Sequence, residues 1–536
     1  MTLAPRFLVN LWAALRIARF TRRLHQTGHD VRAQHETFAR LIAQSARTEF
    51  GRAHGLTAST TYAQFRDRVP PRSADWFQPY IARMAAGETG VLLPGRCPLF
   101  VESAGTAGAT RRLLPAPEAV LDHFCAGLRD SLFHYARRAG HAGVFLGRHL
   151  HVSSSTAVTE TQGRYRTSLD GIFTLCVSAW VEENLRSPPG DIAVLDEGSE
   201  KYAALARAML DRDVTLVGGT PAQLCAAAEA VRLAAARPGG AAPIHLADVW
   251  PNLECCVHLG APLGVHADAL RAAVGPETRL HEIYASAEGI FAAQDDTAPA
   301  ALRLIADAGI FFEFLPVTVT GEAALDQAGS LCVPLEQVRV GVDYVPVITT
   351  PAGLCRYITD DVVCFVSTNP PRLQVIGRAP FQLAAQGEHV TERELVDALQ
   401  AVCQRNGWQP ISFHVAPYAQ RLGPGRLSNV HEWWIELRTH SVRTPMANVL
   451  GPELDAELCH RNGHYARCRE QGALALPLVR LVMPGLFERW ALEQGKVASA
   501  SKLPRCRPDR LIADQLAALA PFYQGTIAPF QSTEPT

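Results

Sequence analysis

Apolar positions along the chain change their period more than once, and each change marks a different kind of element. Between residues 30 and 85 they recur at helical spacing, with polar breaks near Thr57 to Thr61 and at Pro70-Pro71. In PEAVLDHFCAGLRDSLFHYARRAG (117–140), Leu121, Phe124, Leu128, Leu132 and Tyr135 fall three or four residues apart, which predicts an amphipathic helix. The stretches GDIAVL (190–195), DVTLVGGTP (213–221) and ECCVHLG (254–260) are short apolar runs. EKYAALARAMLDR, AQLCAAAEAVRLAAA and HADALRAAVG follow them with helical spacing. Strand and helix in alternation predict a layered α/β domain, with ligands near the Gly-containing turns at the strand ends. AGIFFEFLP, VRVGVDYVPVITT, LCRYITDDVVCFV and RLQVIGR are rich in Val, Ile, Tyr and Phe, and predict a mostly antiparallel run of strands. After it, TERELVDALQAVCQRNGW reads as a helix and EWWIELRTH (432–440) as a strand. The expected organisation is a large α/β domain over 1–377 with a β-rich subregion, a hinge over 378–383, and a smaller mobile α+β domain over 384–536.

The length of 536 residues agrees with more than one core. Apolar residues make up 48% and charged residues 19%, and the 51 basic and 52 acidic side chains nearly cancel. That balance argues against a general nucleic-acid surface. The 13 cysteines include no CxxC pair, so zinc spacing and a secreted disulfide framework are both absent, and a reducing cytoplasm is expected. The N-terminal MTLAPRFLVNLWAALRIARFTRRLHQ is cut by Arg16, Arg19, Arg22 and Arg23. It lacks the layout of a signal peptide and is too interrupted to span a bilayer, so no integral membrane segment is expected. It reads as a basic amphipathic helix that packs on the body or touches a membrane surface, packing being the favoured alternative.

Four stretches carry candidate chemistry. FVESAGTAGATRRLLP (100–115) sets Ser103, Gly105, Thr106, Gly108, Thr110 and Arg112 in a flexible turn. Converging backbone N–H groups, hydroxyls and a cation there suit a phosphate, although the Walker ending is missing. HEIYASAEGIFAAQ (281–294) reads as a strand that turns at Ser286 and presents Glu288, a carboxylate suited to Mg²⁺. GLCRYITDDVV (353–363) places two adjacent carboxylates between strands, where one could accept both hydroxyls of a ribose. SASKLPRCRP (499–508) offers Lys502 on a Ser-rich loop, a cation able to neutralise charge on a transferring group. Taken one at a time, each of these also reads as an ordinary surface turn or solvated charge.

Their order and company resemble one family, the GH3 acyl-acid amido synthetases of the acyl-adenylate-forming superfamily. The resemblance runs from TEFGRAHGL (48–56) and FRDRVPPRSADWFQPYIARM (65–84) through all four motifs. It is most specific in VGVDYVPVITTPAGLCRY (340–357) and KLPR (502–505), and GRAPFQLAAQGEHVTERELVDAL looks like the family's hinge and following loop. It implies the adenylate-forming architecture, with ATP and Mg²⁺ as cofactors, and a carboxylic acid and an amine, usually an amino acid, as substrates. It also implies roles. Ser103, Gly105, Thr106 and Gly108 hold phosphate; Tyr284 borders the adenine; Asp361 holds the ribose; Ala285, Ser286 and Arg378 complete the nucleotide site; Glu288 binds Mg²⁺. Arg112, His389 and Lys502 supply charge during catalysis.

The chain departs from the family pattern at several positions. Ala104 and Ala107 lack hydroxyls in the phosphate loop, and Arg112 stands where Lys is expected. Ala287 replaces a Ser, Asp360 replaces the Gly before the motif aspartate, and His389 replaces a Lys. Two other readings therefore stand beside the ligase: the same fold with a changed reaction, using a preactivated acyl donor or a thiol acceptor, and a non-catalytic binding protein. The acid pocket is expected to draw on helix 117–138, segment 153–173 and the turns near Gly218-Gly219 and His258.

Overall fold

The computed structural model describes residues 6–26, 28–103, 112–236, 243–259, 263, 266–295, 301–317, 331–378, 383, 386, 388, 390–423, 426–438, 447–493 and 503–520. The chain divides into two compact units, with the principal boundary between residues 379 and 380.

The larger unit is organised on one long sheet of two characters. Arg186–Ser187, Arg148–His151, Val214–Gly219, Cys255–Leu259 and Arg279–Ser286 lie side by side and run parallel. Antiparallel strands continue the sheet through Gly289–Gln294, Leu302–Leu304, Pro371–Arg378, Asp361–Thr368, Asp343–Thr349, Phe311–Pro316 and Val333–Pro334. The hairpin Arg279–Ser286/Gly289–Gln294 is the seam between the halves. Val214–Gly219 and Cys255–Leu259 are buried along their whole length, as strands covered on both faces must be. Their crossover helices are Pro221–Ala235, opened by a Thr220/Gln223 capping box, and Ala267–Val274.

Helices Arg6–Leu24, His29–Ser45, Glu49–Ala53, Tyr62–Arg68, Ala74–Ala85 and Glu118–Ala139 belong to this unit. The predicted breaks in 30–85 are present, and the helix at 117–140 runs Glu118–Ala139. A second sheet orders Leu113–Pro115, Leu99–Glu102, Arg164–Ser168 and Val158–Thr161. The N-terminal helix packs: Ala13 and Phe20 are buried, and Phe20 meets the edge of His134 at 4.8 Å.

One predicted strand is not there. GDIAVL contains a short helix, Gly190–Ala193, whose N-cap is Pro189 of the Pro188-Pro189 pair. Its place in the sheet is taken by Arg148–His151, whose RHLH sequence has a single apolar residue, Leu150, buried in the core. Proline fixes φ in a range that suits the start of a helix, and four residues of apolar sequence carry no period to oppose it.

The smaller unit is α+β. Strands Pro410–Gly423, Arg426–Leu437 and Leu478–Val482 form its sheet, the last pairing parallel to the second. The expected strand at 432–440 therefore starts earlier, at Arg426, and ends at Leu437. Helices Glu392–Asn406, Ala447–Arg461, Gly463–Glu470, Leu486–Glu493 and Leu511–Leu519 accompany the sheet. Thr391 and Glu394 form a capping box at the start of the first.

Candidate active site

Three of the four chemistry-bearing stretches meet in the larger unit. The first is closed at its base. Leu99–Glu102 pairs antiparallel with Leu113–Pro115, and just beyond that ladder the Ser103 backbone N–H donates to Arg112 O at 2.8 Å. The Arg112 N–H in turn donates to Ser103 Oγ at 3.2 Å. Ser103 and Arg112 thus stand at the two mouths of segment 104–111. Ala104, Gly105, Thr106, Ala107, Gly108 and Thr110 lie outside the described residues.

Glu288 sits in the turn between the two seam strands. Ser286 Oγ donates to its Oε2 at 2.6 Å and accepts the Glu288 N–H at 3.2 Å. Tyr357 OH donates to its Oε1 at 2.7 Å. Burial and the adjacent Glu288 charge push the Tyr357 phenol well above its usual range, so it stays a donor. The turn is fixed from behind by His123, a buried side chain of helix Glu118–Ala139. Its Nδ1 donates to Ala308 O at 2.8 Å, and its Nε2 accepts the Ile290 N–H at 2.9 Å. Burial holds this imidazole at about 4, so it is neutral at physiological pH.

Asp361 opens the strand Asp361–Thr368 and is buried. Tyr284 OH, from the parallel side of the seam, donates to its Oδ2 at 2.7 Å. Arg378 is the Cα partner of Asp361 across the ladder. One residue earlier, Asp360 Oδ2 accepts from Arg112 Nη1 at 3.2 Å, and Arg112 also lies 3.3 Å from Asp75. Two positions that depart from the family pattern therefore face each other as an ion pair.

Tyr357 is the member of this group to which sequence reasoning gave no role. The residues before it, Leu354, Cys355 and Arg356, are buried. Arg356 makes a paired contact with Glu313 through two bonds of 3.0 Å, so the motif is anchored in the core immediately before its functional end. A tyrosine in a strand-like apolar run carries no sequence signal that separates it from core.

A second polar cluster lies at the carboxyl end of Arg148–His151. His151 Nε2 is 3.4 Å from Asp170 Oδ1, while Asp170 Oδ2 accepts from Ser154 N–H at 2.9 Å and Ser154 Oγ at 2.7 Å. Burial works against the Asp170 charge, but the bonds from His151 and Ser154 outweigh it and hold the carboxyl at about 2. Buried Lys201 donates to the carbonyls of Ser154, Ala193 and Leu195 at 2.8–2.9 Å, which pins the segment expected to border the acid pocket. In that region Gly218, Gly219 and His258 are buried, with Gly219 opposite His258 in the ladder. Arg164, on the adjoining strand Arg164–Ser168, donates to Ala86 O at 2.6 Å. Among the described residues no group of three or more His, Cys, Asp or Glu side chains could hold a metal on its own. A cavity of about 600 Å³ lined by Pro316, Val333, Gln337, Arg339, Val342 and Tyr344 shares no residue with the constellation around Glu288.

In the smaller unit, His389 and Lys502 lie outside the described residues, but their neighbours are placed. Glu388 is buried, with Oε1 3.1 Å from His431 Nε2 and Oε2 accepting the Gln386 N–H at 2.7 Å. Leu383 and Val390 exchange two backbone hydrogen bonds. After Lys502, Leu503 through Cys506 are buried, Pro504 O accepts from His414 at 2.7 Å, and the Arg505 guanidinium stacks on Phe413 at 5.3 Å. Both predicted cation-bearing segments are thus tethered to the small sheet.

The architecture is that of acyl-adenylate-forming enzymes. The fold matches a solved acyl acid amido synthetase, AtGH3.15 in complex with 2,4-DB, with a TM-score of 0.73 at 18% identity over 97% of both chains. It also matches a 2-hydroxyisobutyryl-CoA ligase in the postadenylation state, with a TM-score of 0.58 at 15% identity over 93% of this chain and 94% of that one. Three family models match in chain order: the GH3 family N-terminal domain over residues 19–237, the central domain over 303–378 and the C-terminal domain over 393–510. The chain belongs to the GH3 family. It is 26% identical over 543 residues to the indole-3-acetic acid-amido synthetase GH3.8 of Oryza sativa subsp. indica, covering 88% of this chain and 87% of the relative. It is 23% identical to the probable indole-3-acetic acid-amido synthetase GH3.1 of Arabidopsis thaliana, covering 88% of each. Ser103 and Arg112 fall in the first matched stretch and Asp361 and Arg378 in the second; the Glu288 hairpin lies between them.

Proposed function

We propose that this protein uses ATP to activate a carboxylic acid as its acyl-adenylate and then transfers the acyl group to an amine, an amino acid, to form an amide. In the first step a carboxylate oxygen attacks the α-phosphorus and pyrophosphate leaves. In the second the amine nitrogen attacks the acyl carbon, AMP leaves and the nitrogen gives up a proton. The observation that carries this reading is the linkage of Tyr284 with Asp361 and of Ser286 and Tyr357 with Glu288 across one sheet seam. Family membership supplies the reaction class.

Each side chain has a part consistent with its surroundings. Asp361, aligned by Tyr284, accepts the ribose hydroxyls, with Arg378 opposite it. Tyr284 borders the adenine, and Ala285 and Ser286 contribute to the nucleotide site. Ser103, Gly105, Thr106 and Gly108 bind phosphate oxygens, and Arg112 stands at the loop's exit. Lys502 and His389 bring charge from the smaller unit, whose movement about residues 378–383 alternates between the two steps. Glu288 suits Mg²⁺, a cation commonly held by one or two carboxylates together with substrate phosphates. Both of its oxygens are oriented by neutral hydroxyl donors, which leave the carboxylate charge intact. When bound, the cation offsets charge on the leaving pyrophosphate.

ATP–pyrophosphate exchange across a panel of aryl and aliphatic acids tests the proposal. Acid-dependent exchange is expected, falling by about 100-fold or more in Glu288→Gln, given the usual scale for losing an electrostatic contact to developing charge. Exchange followed by product with coenzyme A and none with amino acids would replace the amide with a thioester. A folded protein that neither exchanges nor binds ATP would overturn the reading.

A further inference from the structure

The helix Arg6–Leu24 has two apolar faces, and the fold uses one. Ala13 and Phe20 are buried, and Val9, Ile17 and Leu24 pack against the same core. These five recur every three or four residues along one stripe. On the opposite side Phe7, Leu8, Leu11, Trp12 and Leu15 are between 46% and 68% exposed. They too form a continuous stripe over three turns, open to water. Solvent-exposed apolar patches of this kind mark interaction surfaces.

The charge along the helix itself is of one sign. Residues 1–29 hold Arg6, Arg16, Arg19, Arg22 and Arg23 and no Asp or Glu, in a protein whose net charge is −1. Arg23 is turned inward to Asp130 and Asp307, at 2.6 and 3.1 Å. Arg16, Arg19 and Arg22 are exposed on the side of the open stripe, and the Arg16 guanidinium lies 5.5 Å from the Trp12 ring. A second aromatic joins it: Trp180, also exposed, stands 6.3 Å from Trp12. Of the acidic residues beside Trp180, Glu182 is paired with Arg186.

We infer that this helix docks the protein on an anionic phospholipid surface, lying in the interface with Phe7, Leu8, Leu11, Trp12 and Leu15 in the acyl boundary and Arg16, Arg19 and Arg22 among the headgroup phosphates. Large apolar and aromatic side chains flanked by arginine match both layers of that surface at once. A second copy of the chain fits less well, because two such faces would bring like-charged arginines together. Nucleic acid would pair the arginines and leave the leucines in water. Among the described residues no helix is long and apolar enough to cross a membrane, so the mode is peripheral.

Cosedimentation of the full-length protein with vesicles of phosphatidylcholine alone, and with about 30 mol % phosphatidylglycerol added, tests this electrostatic attraction. Binding is expected to the anionic vesicles only, and to weaken as salt rises. Leu11→Glu should abolish it, and Arg19→Gln should lower the partition coefficient about fivefold, the scale of one juxtamembrane cation. Unchanged thermal melting of both variants separates lost docking from lost fold. Failure of wild type to bind anionic vesicles would overturn the inference. So would a wild-type dimer by light scattering that becomes monomeric in Leu11→Glu.

Discussion

At the scale of single residues, the instructive case is Arg112 and Asp360. In sequence they are two separate departures from the family pattern, one a Lys turned to Arg and the other a Gly turned to Asp. In the structure they are a 3.2 Å pair bridging 248 positions of chain. Both side chains are partly exposed, so the contact itself contributes little stability, of the order of 0–1 kcal/mol. It orients a guanidinium at the exit of segment 104–111, the loop proposed to bind phosphate, and a planar fork does this better than a flexible ammonium. A double-mutant cycle on ATP kcat/KM measures this. Arg112→Ala and Asp360→Ala should each reduce the constant, and the double variant should be less impaired than the product of the two by about fivefold, a coupling near 1 kcal/mol. Additive losses would mean that the two residues act independently. The same scale explains why Tyr357 was illegible: its function is a bond to Glu288, 69 positions away.

Elements were legible where their periodicity answered to burial. Val214–Gly219 and Cys255–Leu259 read as strands because both faces are covered, and Glu118–Ala139 read as a helix because one face is. Arg148–His151 did not, since its polar ends leave Leu150 as the one buried apolar contact, while GDIAVL had apolar residues but a proline-set helix start. The seam hairpin was legible down to its turn at Ser286, yet the reason it needs Gly289 lies in the packing. A Cβ at Gly289 would come within 2.6 Å of both His123 Nε2 and Ile310 Cδ1. His123 is the group that holds the Ile290 N–H, so the hairpin cannot accept a methyl unless His123 or the hairpin itself shifts, and either loosens the hold on the Glu288 turn. Gly289→Ala should therefore destabilise the protein by about 2 kcal/mol, the usual scale of overpacking. It should also lower kcat for pyrophosphate exchange at saturating ATP. Denaturant unfolding and exchange kinetics on the same preparation check both. A variant with wild-type stability and rate would show that the hairpin has slack.

At the scale of the whole molecule, the chain has folded several histidines into places where burial keeps them neutral at physiological pH. Burial holds His123, His149 and His258 at about 4 and His281 at about 3 in the larger unit, and His414 at about 4 in the smaller. An unfolded histidine titrates near 6.5. Above that pH all five are neutral in both states and add no pH dependence. As the pH falls through 6.5 the unfolded chain binds protons that the native chain refuses, so stability drops until the folded values near 4 are reached. Each group contributes at most about 1.4 kcal/mol per pH unit within that window. Glu313 opposes the trend. Burial outweighs its ion pair with Arg356 and raises its carboxyl, so it favours the native state as the pH falls toward the carboxylate range. Asp30, Glu254, Asp343 and Glu436 are raised by burial as well, but Asp170, Glu388 and Glu457 are lowered by their partners, so the carboxylates act in both directions, while the buried histidines, His134 among them, all act in one. The melting temperature should hold from pH 8 to about 7 and fall steeply between about 6.5 and 4.5. His281→Asn should make that fall shallower, because it removes a group that burial holds at about 3 while keeping a polar partner for Ser131, now 3.1 Å from His281 Nε2. A melting temperature that stays level down to pH 4.5 would mean that these imidazoles are hydrated and charged in the native protein, and the packing described around the Glu288 hairpin would have to be redrawn with water in it.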